Sequence, residues 1–408
     1  MPISITTEVL GDHPRLSEIN CGLPLAASWI KSGEGFVAFG IYKSHEVSGK
    51  KRFQDASLWW KNELTQLEIH NNVHGSGTGP ILFTSFSFDE ADPSLLVIPQ
   101  VVIVVRNGKS WITWIGDKQP LLSKVEKSAA LGEITWGQGS LSDEQWCERI
   151  QKSVDRIKLG ELDKVVLARD LTATTTNPID SLSLVNELES LYPSTWVYSL
   201  GNLIGATPEL LVRLSKTLVT SRVLAGTIRR SGDEERDLAL AASLAKSSKD
   251  LEEHEYAVRS VADALASYAS STNVPESPYV LHLPNVMHLA TDVTGVINES
   301  PANVDIFTLI SALHPSAAVC GTPTDKAKDL IQEYESMNRG RYAGPVGWVD
   351  ARGDGEIGIA LRCGYLSEDH KSIRLYAGCG IVAGSDPVQE LAESQAKLLP
   401  IRSALQKL

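Results

Sequence analysis

The carboxyl-terminal part of the chain places two carboxylates and one ammonium group at helical spacing. Glu390, Glu393 and Lys397 are three and four residues apart, and about 100° of rotation per residue puts all three on one face of a helix. Most helices with this spacing present a solvated face with a simple Glu–Lys ion pair. The spacing therefore indicates a functional site only if other groups converge on it.

A glycine-rich segment precedes this helix. Residues 377–384 read AGCGIVAG, and a glycine loop that leads into a helix exposes backbone N–H groups suited to an anionic ligand. A nucleotide-binding oxidoreductase is the rival interpretation. It is disfavoured because the glycines are not spaced G-x-G-x-x-G and no acidic residue after a second strand completes that pattern.

A second acidic cluster lies at residues 249–255, which read KDLEEHE. Asp250 and Glu253 share one helix face, and two carboxylates facing another pair across a cleft would form the oxygen-rich site that Mg²⁺ prefers. Alone, the run is equally compatible with the charged surface of a long helix. His254 is as compatible with a structural role as with a functional one.

Two charged residues stand within or beside apolar runs. Lys164 belongs to KVVLAR (residues 164–169), and Glu209 to GATPELL (residues 205–211). A lysine in such a strand either reaches solvent at an edge or is buried, and burial lowers its pKa towards the range of a general base. The sequence around Lys164 does not decide between these alternatives, and Glu209 taken by itself is equally ambiguous.

The elements that must position these groups follow from periodicity and turn signals. Residues 95–105 and 110–115 flank Asn107-Gly108, which predicts a β-hairpin. The other predicted elements are a helix from Ser142 to Gly160, a strand at 164–169, a long helix over 236–268, a helix near 326–337, strands around 342–350, 357–362 and 373–377, and a last helix that starts at Asp386-Pro387.

Strand groups and helices alternate without a regular βαβ order. This favours an α+β fold, a layered sandwich with large, mostly antiparallel sheets and flanking helices, over a doubly wound fold. The one boundary we draw falls near residue 140. It separates residues 1–140, predicted as strands and turns, from residues 141–408, and we expect both parts to belong to one fold.

Composition excludes several classes of protein. The 408 residues carry a formal net charge of −12 and no basic stripe, which argues against nucleic-acid binding. No apolar run reaches the ~20 residues that a membrane helix needs, and the start of the chain does not resemble a secretory signal. The five scattered cysteines indicate free thiols rather than disulfides or a zinc site, so we expect a cytoplasmic protein.

The motifs, taken together and in order, resemble the chorismate-utilising enzymes: isochorismate synthase, salicylate synthase, anthranilate synthase and aminodeoxychorismate synthase. They cover roughly residues 142–405. They are KVVLAR (164–169), GATPEL (205–210), LAGT (224–227), Glu253-His254, LHP (313–315), NRGRYAGPVGW (338–348), ALR (360–362), AGCGI (377–381) and the closing Ser385, Glu390, Glu393 and Lys397.

The resemblance implies a substrate, a metal and roles for individual residues. The substrate would be chorismate, a small dicarboxylate, and the cofactor Mg²⁺. Lys164 matches the base that activates water, and Glu209 matches the acid that protonates the departing hydroxyl group. The residues matching metal positions are Glu253, Glu390, Glu393 and, close by or through water, Asp250. Those matching substrate positions are Gly226, Thr227, His288, Ala318, Tyr342, Arg362, Gly378, Gly380 and Lys397, with Arg362 and Tyr342 at the enolpyruvyl carboxylate.

Three positions distinguish the members of this family. Ammonia-using members usually have glutamine where this chain has Lys164, and the aminodeoxychorismate type has PIKGT where this chain has LAGT (224–227). The salicylate type typically has threonine where this chain has Ala318. The first two features point to water as the nucleophile, and Ala318 favours a reaction that stops at isochorismate. Together they predict an isochorismate synthase, an isomerase. The segment IRRSG (228–232) departs from the family's usual arginine–glycine ending, which predicts a local difference at the edge of the pocket.

Two alternatives stay open: a salicylate synthase that also eliminates pyruvate, and a catalytically silent chorismate-binding protein. The sequence does not distinguish menaquinone from siderophore biosynthesis. We expect a monomer without a nucleic-acid or membrane partner.

Overall fold

The computed structural model of the protein describes residues 3–11, 15–125, 129–297 and 304–408. In these ranges eight α-helices flank an extensive β-sheet. The helices are α1 (Arg52–Leu64), α2 (Asp143–Lys158), α3 (Ser181–Leu191), α4 (Glu234–Leu244), α5 (Ser248–Ala266), α6 (Ile306–Leu313), α7 (Thr324–Tyr334) and α8 (Pro387–Leu405). A short 3₁₀ helix spans Leu16–Glu18.

The strands come in two groups along the chain. The first group is β1 (Ile3–Val9), β2 (Ile19–Asn20), β3 (Leu25–Lys31), β4 (Glu34–Val47), β5 (Leu67–Asn71), β6 (Ile81–Ser85), β7 (Ser94–Arg106), β8 (Lys109–Ile115), β9 (Ser123–Lys124) and β10 (Ile134–Gly137). The second is β11 (Lys164–Thr175), β12 (Trp196–Leu200), β13 (Leu203–Thr207), β14 (Leu210–Ser215), β15 (Leu218–Arg229), β16 (Ala269–Asn273), β17 (Tyr279–His282), β18 (Val286–Ile297), β19 (Gly321–Thr322), β20 (Pro345–Asp350), β21 (Gly355–Ile359), β22 (Cys363–Leu366) and β23 (Ser372–Ile381).

The main sheet branches at the long strand β7. One branch runs β7-β4-β3-β12-β13-β22-β23-β11, and the other runs β7-β6-β20-β21-β14-β15-β18. Neighbouring strands in both branches are antiparallel, whereas β1 and β5, on the far side of β8, pair in parallel. The predicted α+β class with large antiparallel sheets and flanking helices is thereby confirmed.

Several predicted elements are present with their predicted capping. Strands β7 and β8 form the hairpin, and Asn107 adopts a left-handed φ of 51° at its turn. Helix α2 begins with a capping box between Ser142 and Gln145. Helix α8 begins with the Asp386 side chain accepting backbone N–H bonds and with proline in its first turn.

Two predictions of helical structure were wrong. The helix predicted over 236–268 is two helices, α4 and α5, because the Ser247 hydroxyl caps a new helix by accepting a hydrogen bond from the Asp250 N–H. The first 140 residues, predicted as strands and turns, also contain α1. Its N-cap, Lys51, makes no side-chain capping bond, so the start carries no sequence signal.

The ends of the two sheet branches enclose the region where the predicted site residues lie. Strands β11 and β23 come from one branch and β15 and β18 from the other, with α5 and α8 packed across them. Strand pairs β3–β12 and β6–β20 connect residues 1–140 to the rest of the sheet. Among the described helices, none is both long enough and apolar enough to span a membrane.

Candidate active site

Lys164 is completely buried at the start of β11, which decides between the two alternatives for this lysine. Its Nζ lies 3.3 Å from the backbone oxygen of Glu253 and 3.5 Å from a carboxylate oxygen of the same residue. Burial lowers the pKa of Lys164, while the charge of Glu253 acts in the opposite direction. A lysine whose neutral form is favoured in this way can accept a proton.

Gly380 on β23 leaves space for the Glu253 carboxylate to lie beside Lys164. It pairs with Val166 of β11, and a Cβ atom at its position would lie 2.1 Å from the Glu253 Oε1 and 3.0 Å from the Lys164 Cε. Any side chain here would therefore displace the carboxylate or the lysine. The glycine is required for the present position of the Glu253 carboxylate beside Lys164, in addition to whatever its N–H offers a ligand.

Glu209 lies between β13 and β14 and is 5% exposed. Burial raises its pKa to about 8, although the positive charges of Lys164, Arg362 and Lys397 oppose the shift. The carboxyl group is therefore mostly protonated at neutral pH and can donate a proton. Lys164 and Glu209 thus have shifts of the kind that separates a base from an acid in one pocket.

Three carboxylates converge where α5 meets α8, and each is paired with a lysine. Lys397 lies 2.5 Å from Glu393, and Lys249 lies 2.6 Å from Glu390. The third pair is Lys164 with Glu253. Burial, followed by repulsion from Glu393, raises the pKa of Glu390 to about 7, so part of its negative charge is lost near neutral pH even though Lys249 is its partner.

This cluster suits Mg²⁺. Carboxylate oxygens of Glu390 and Glu393 lie within 4.8 Å of each other and of the Cys379 sulfur. The Cys379 thiol donates to the backbone oxygen of Glu390, and burial raises its pKa well above the ordinary value, which leaves oxygen atoms as the available ligands. A hard divalent cation prefers such a set and would relieve the repulsion between the carboxylates.

Asp250 lies in the first turn of α5, next to Gly226 of β15. A Cβ atom on Gly226, which has a φ of 77°, would lie 3.0 Å from the Asp250 Cβ, so the glycine of LAGT allows β15 to contact α5. Asp250 does not line the cavity formed by the described residues. Its predicted metal role, direct or through water, stays a prediction.

Arg362 is buried in the same cavity and held by a short chain of hydrogen bonds. An Arg362 Nη donates to the His288 Nε2 at 2.8 Å, and the His288 Nδ1 lies 3.0 Å from the Thr227 hydroxyl. The arginine must donate, so Nδ1 of His288 carries the proton, and burial keeps the pKa of this histidine well below its usual value. Arg362 itself has a left-handed φ of 50°, an uncommon conformation for a residue with a side chain and one found at functional sites.

Tyr342 packs beside this guanidinium. Its ring stacks on Tyr376 with a centroid distance of 5.0 Å, and a Cβ on Gly378 would lie 2.9 Å from its hydroxyl group. The next residue, Ala343, has a φ of 60°, so the strand predicted from residue 342 begins only at Pro345. The turn places the tyrosine at the cavity wall.

One cavity brings together ten of the predicted residues. They are Glu209, Thr227, Glu253, His288, Ala318, Tyr342, Arg362, Gly378, Gly380 and Lys397. Lys164, Gly226, Asp250, Glu390 and Glu393 stand behind this lining; Lys164 is covered by the Glu253 carboxylate and Gly380. The arrangement places a buried carboxyl group, a buried arginine and a charged cluster around one cavity.

Sequence reasoning missed several residues of this region. Arg339 and Tyr376 line the cavity, and Lys249 pairs with Glu390. A signal for Lys249 was present, because the first turn of a helix disfavours a cation and a lysine there needs a compensating partner. His254 is structural: its ring nitrogens bond the Ala225 carbonyl and the Thr291 hydroxyl.

Comparison with known proteins identifies the family and supports the fold. Residues 28–406 match the family described as chorismate binding enzyme, and the chain belongs to this family. Isochorismate synthase MenF of Bacillus subtilis is 30% identical over 397 residues, which cover 90% of this chain and 83% of that protein. Isochorismate synthase DhbC of the same organism is 34% identical over 337 residues, 80% of this chain and 81% of that protein.

A solved structure has the same fold. The menaquinone-specific isochorismate synthase MenF of Escherichia coli superposes with a TM-score of 0.81, covering 99% of this chain and 95% of that chain, at 23% identity. The family predicted from the motifs is confirmed, and with it the prediction of an enzyme.

Proposed function

We propose that the chain is an isochorismate synthase, which converts chorismate reversibly into isochorismate by adding water at C2 and releasing the C4 hydroxyl group. The observation that carries the proposal is the burial of Lys164 and Glu209 at one site, with their pKa values shifted in opposite directions. The proposal is supported by relatives that are named isochorismate synthases and that match this chain over most of their length.

Lys164 is proposed as the general base. Its neutral amine takes a proton from the attacking water, which is a poor nucleophile on its own. Glu253 holds the Lys164 Nζ through its backbone oxygen, which fixes the direction of the amine. An amide side chain, which the ammonia-using relatives have here, could not perform this proton transfer.

Glu209 is proposed as the general acid. Its protonated carboxyl group donates to the departing hydroxyl group, because hydroxide alone is a poor leaving group. Each of the two proton transfers is typically worth about 10²–10⁴-fold in rate. After the reaction Lys164 is protonated and Glu209 ionised, and exchange of protons with solvent restores both residues for the next turnover.

The remaining residues bind and orient the substrate. Arg362 suits the enolpyruvyl carboxylate because its planar guanidinium pairs with a carboxylate through two hydrogen bonds, and His288 and Thr227 fix its orientation. Glu253, Glu390 and Glu393 would hold Mg²⁺, with Asp250 near them. The ion would supply positive charge for the ring carboxylate of chorismate.

The proposal is tested by incubating the purified protein with chorismate and Mg²⁺ and separating the products by chromatography. The proposal is supported if isochorismate forms reversibly and if it does not form in the presence of EDTA or with Lys164→Ala. Lys152→Ala, which removes an exposed lysine of α2, is the matched control and should retain activity. Pyruvate released with salicylate would move the function to salicylate synthase. Chorismate binding without turnover would indicate a silent binding protein.

The relatives leave the biosynthetic pathway open. One matched protein is named as menaquinone-specific, whereas the name of DhbC does not include this pathway. We propose that isochorismate made by this chain feeds either menaquinone or siderophore synthesis, in the cytoplasm and from a monomeric enzyme. Light scattering of the purified protein would measure its oligomeric state.

A further inference from the structure

The ion pair between Lys249 and Glu390 joins the start of α5 to the first turn of α8. The Lys249 Nζ lies 2.6 Å from the Glu390 Oε1. The glutamate side chain is 1% exposed, whereas the lysine side chain is 26% exposed. The pair therefore has a fixed, buried carboxylate on one side and a cation with a route to solvent on the other.

The position of Lys249 is unfavourable for a cation within its own helix. It is the second residue of α5, where the positive end of the helix dipole repels an ammonium group. Burial also opposes its charge, yet the carboxylates of Glu390, Glu253 and Glu393 outweigh these effects and raise the pKa of Lys249. The carboxylate cluster thus holds the lysine in place.

The three lysines of the cluster are not equivalent. Lys164 also donates to the backbone oxygen of Glu253, and Lys397 also donates to the backbone oxygen of Gly378 at 2.9 Å. Among the described residues, Lys249 has Glu390 as its one hydrogen-bond partner. Of the three ammonium groups, that of Lys249 has the fewest contacts to lose and the most exposed side chain, so it is the one able to leave.

We propose that the Lys249 ammonium occupies the metal position of the metal-free enzyme and moves out towards solvent when a divalent cation binds the carboxylates. This inference rests on the magnesium site of the proposed function. Lys249 then has two effects: it keeps the buried carboxylates assembled without metal, and it weakens metal binding because the ion must displace it.

The first test measures Mg²⁺ binding to EDTA-stripped protein by calorimetry, without chorismate. Lys249→Gln should bind Mg²⁺ at least about fivefold more tightly than the wild type, since no ion pair has to be broken. Its metal-free thermal midpoint should fall, and the difference from the wild type should narrow at saturating Mg²⁺. Lys246→Gln removes the same charge from an exposed neighbour and should leave both quantities close to wild type.

A second test uses the wild-type chain and so does not depend on how the variant folds. Acetic anhydride labels free amines, and mass spectrometry of the Lys249 peptide measures its labelling with and without Mg²⁺. The proposal predicts more labelling with Mg²⁺, with Lys246 unchanged as the internal reference.

The outcomes separate the inference from the proposed function. Mg²⁺ binding by the wild type that is unchanged or weaker in Lys249→Gln, or labelling that does not rise with Mg²⁺, would overturn the role of Lys249 and leave the metal site intact. A wild-type chain that binds no Mg²⁺ would overturn the metal site of the proposed function, and the inference with it.

Discussion

Lys164 and Glu209 are two buried groups whose pKa values are shifted in opposite directions. Burial disfavours the charged form of each, so the lysine tends towards a neutral amine and the glutamate towards a neutral acid. Charged neighbours limit both shifts without reversing them. No special chemistry of the side chains is needed for the roles proposed for them, because burial at one site favours a neutral amine and a neutral acid together.

The pKa of Glu209 leads to a prediction about pH. The forward reaction needs its proton, so the wild-type rate should fall as the pH rises through about 8. Glu209→Gln should lower kcat by about 10²–10⁴-fold and remove this fall. Glu148→Gln, at an exposed position on α2, is the control. A Glu209→Gln enzyme whose pH profile keeps the wild-type shape would contradict the role of Glu209.

The same shift predicts a change in stability. The folded-state pKa of Glu209 lies above the ordinary carboxyl value of 4.5. Protonation of Glu209 therefore stabilises the folded state fully below pH 4.5, and this stabilisation is lost as the pH rises through about 8. Thermal unfolding from about pH 5 to about pH 9 should therefore show Glu209→Gln gaining stability relative to the wild type as the pH rises.

Sequence reasoning reached many site residues because the family motifs surround them. The motifs singled out Lys164, Glu209 and three carboxylates that the structure brings into one region, but they could not tell whether Lys164 was buried or at an edge. That depends on β23 and α5, which lie 89 or more residues away and cover it. Lys249 was missed because its partner, Glu390, is 141 residues distant along the chain.

At the scale of elements, the site depends on how closely α5 and α8 approach the sheet. On β23, Gly380 leaves space for the Glu253 side chain of α5, since a methyl group there would lie 2.1 Å from a Glu253 oxygen atom. Gly226 has the corresponding role on β15, next to Asp250. The glycines of the family motifs thus have packing functions besides any contact with a ligand.

Gly380→Ala should separate Glu253 from Lys164 and lower kcat/KM by about 10²-fold, the typical cost of a misplaced catalytic group. Gly384→Ala is the matched control in the same glycine-rich segment, where the new Cβ would make an ordinary 3.7 Å contact with the Lys249 Cγ. Steady-state assays and circular dichroism of both variants test the prediction. Equal activity in the two variants would show that the close approach at Gly380 is unimportant.

Local signals predicted elements well where side chains cap or turn the chain. The hairpin β7–β8 and the starts of α2 and α8 have such signals. The break between α4 and α5 was missed because the charged pattern continues across it, although Ser247 starts a new helix. Helix α1 was missed because its start has no side-chain cap.

At the scale of the whole molecule, the two parts of the chain share one sheet, and both contribute to each of the two large hydrophobic clusters. Phe36 of β4 packs on Trp348 of β20 with a centroid distance of 4.4 Å, and strand pairs cross between the parts at β3–β12 and β6–β20. The order of strands in the sheet could not be predicted, because it is set by contacts between distant segments rather than by local pattern.

This sharing predicts cooperative unfolding. Thermal unfolding followed by circular dichroism and by tryptophan fluorescence should give one coincident transition, because neither part can keep its core when the other unfolds. A chain of residues 141–408 alone should lack the near-ultraviolet signal of fixed aromatic side chains. Two separate transitions, or a folded 141–408 chain, would show instead that residue 140 marks an independent domain boundary.

In the proposed reaction, Lys164 activates a water molecule that becomes the new hydroxyl group of the product. The most direct measurement is the mass of isochorismate formed at early times from chorismate and Mg²⁺ in ¹⁸O-labelled water. We expect one ¹⁸O atom in each product molecule and loss of this product in Lys164→Ala. Isochorismate that forms without ¹⁸O would contradict activation of water by Lys164, because the hydroxyl group would then have migrated within the substrate.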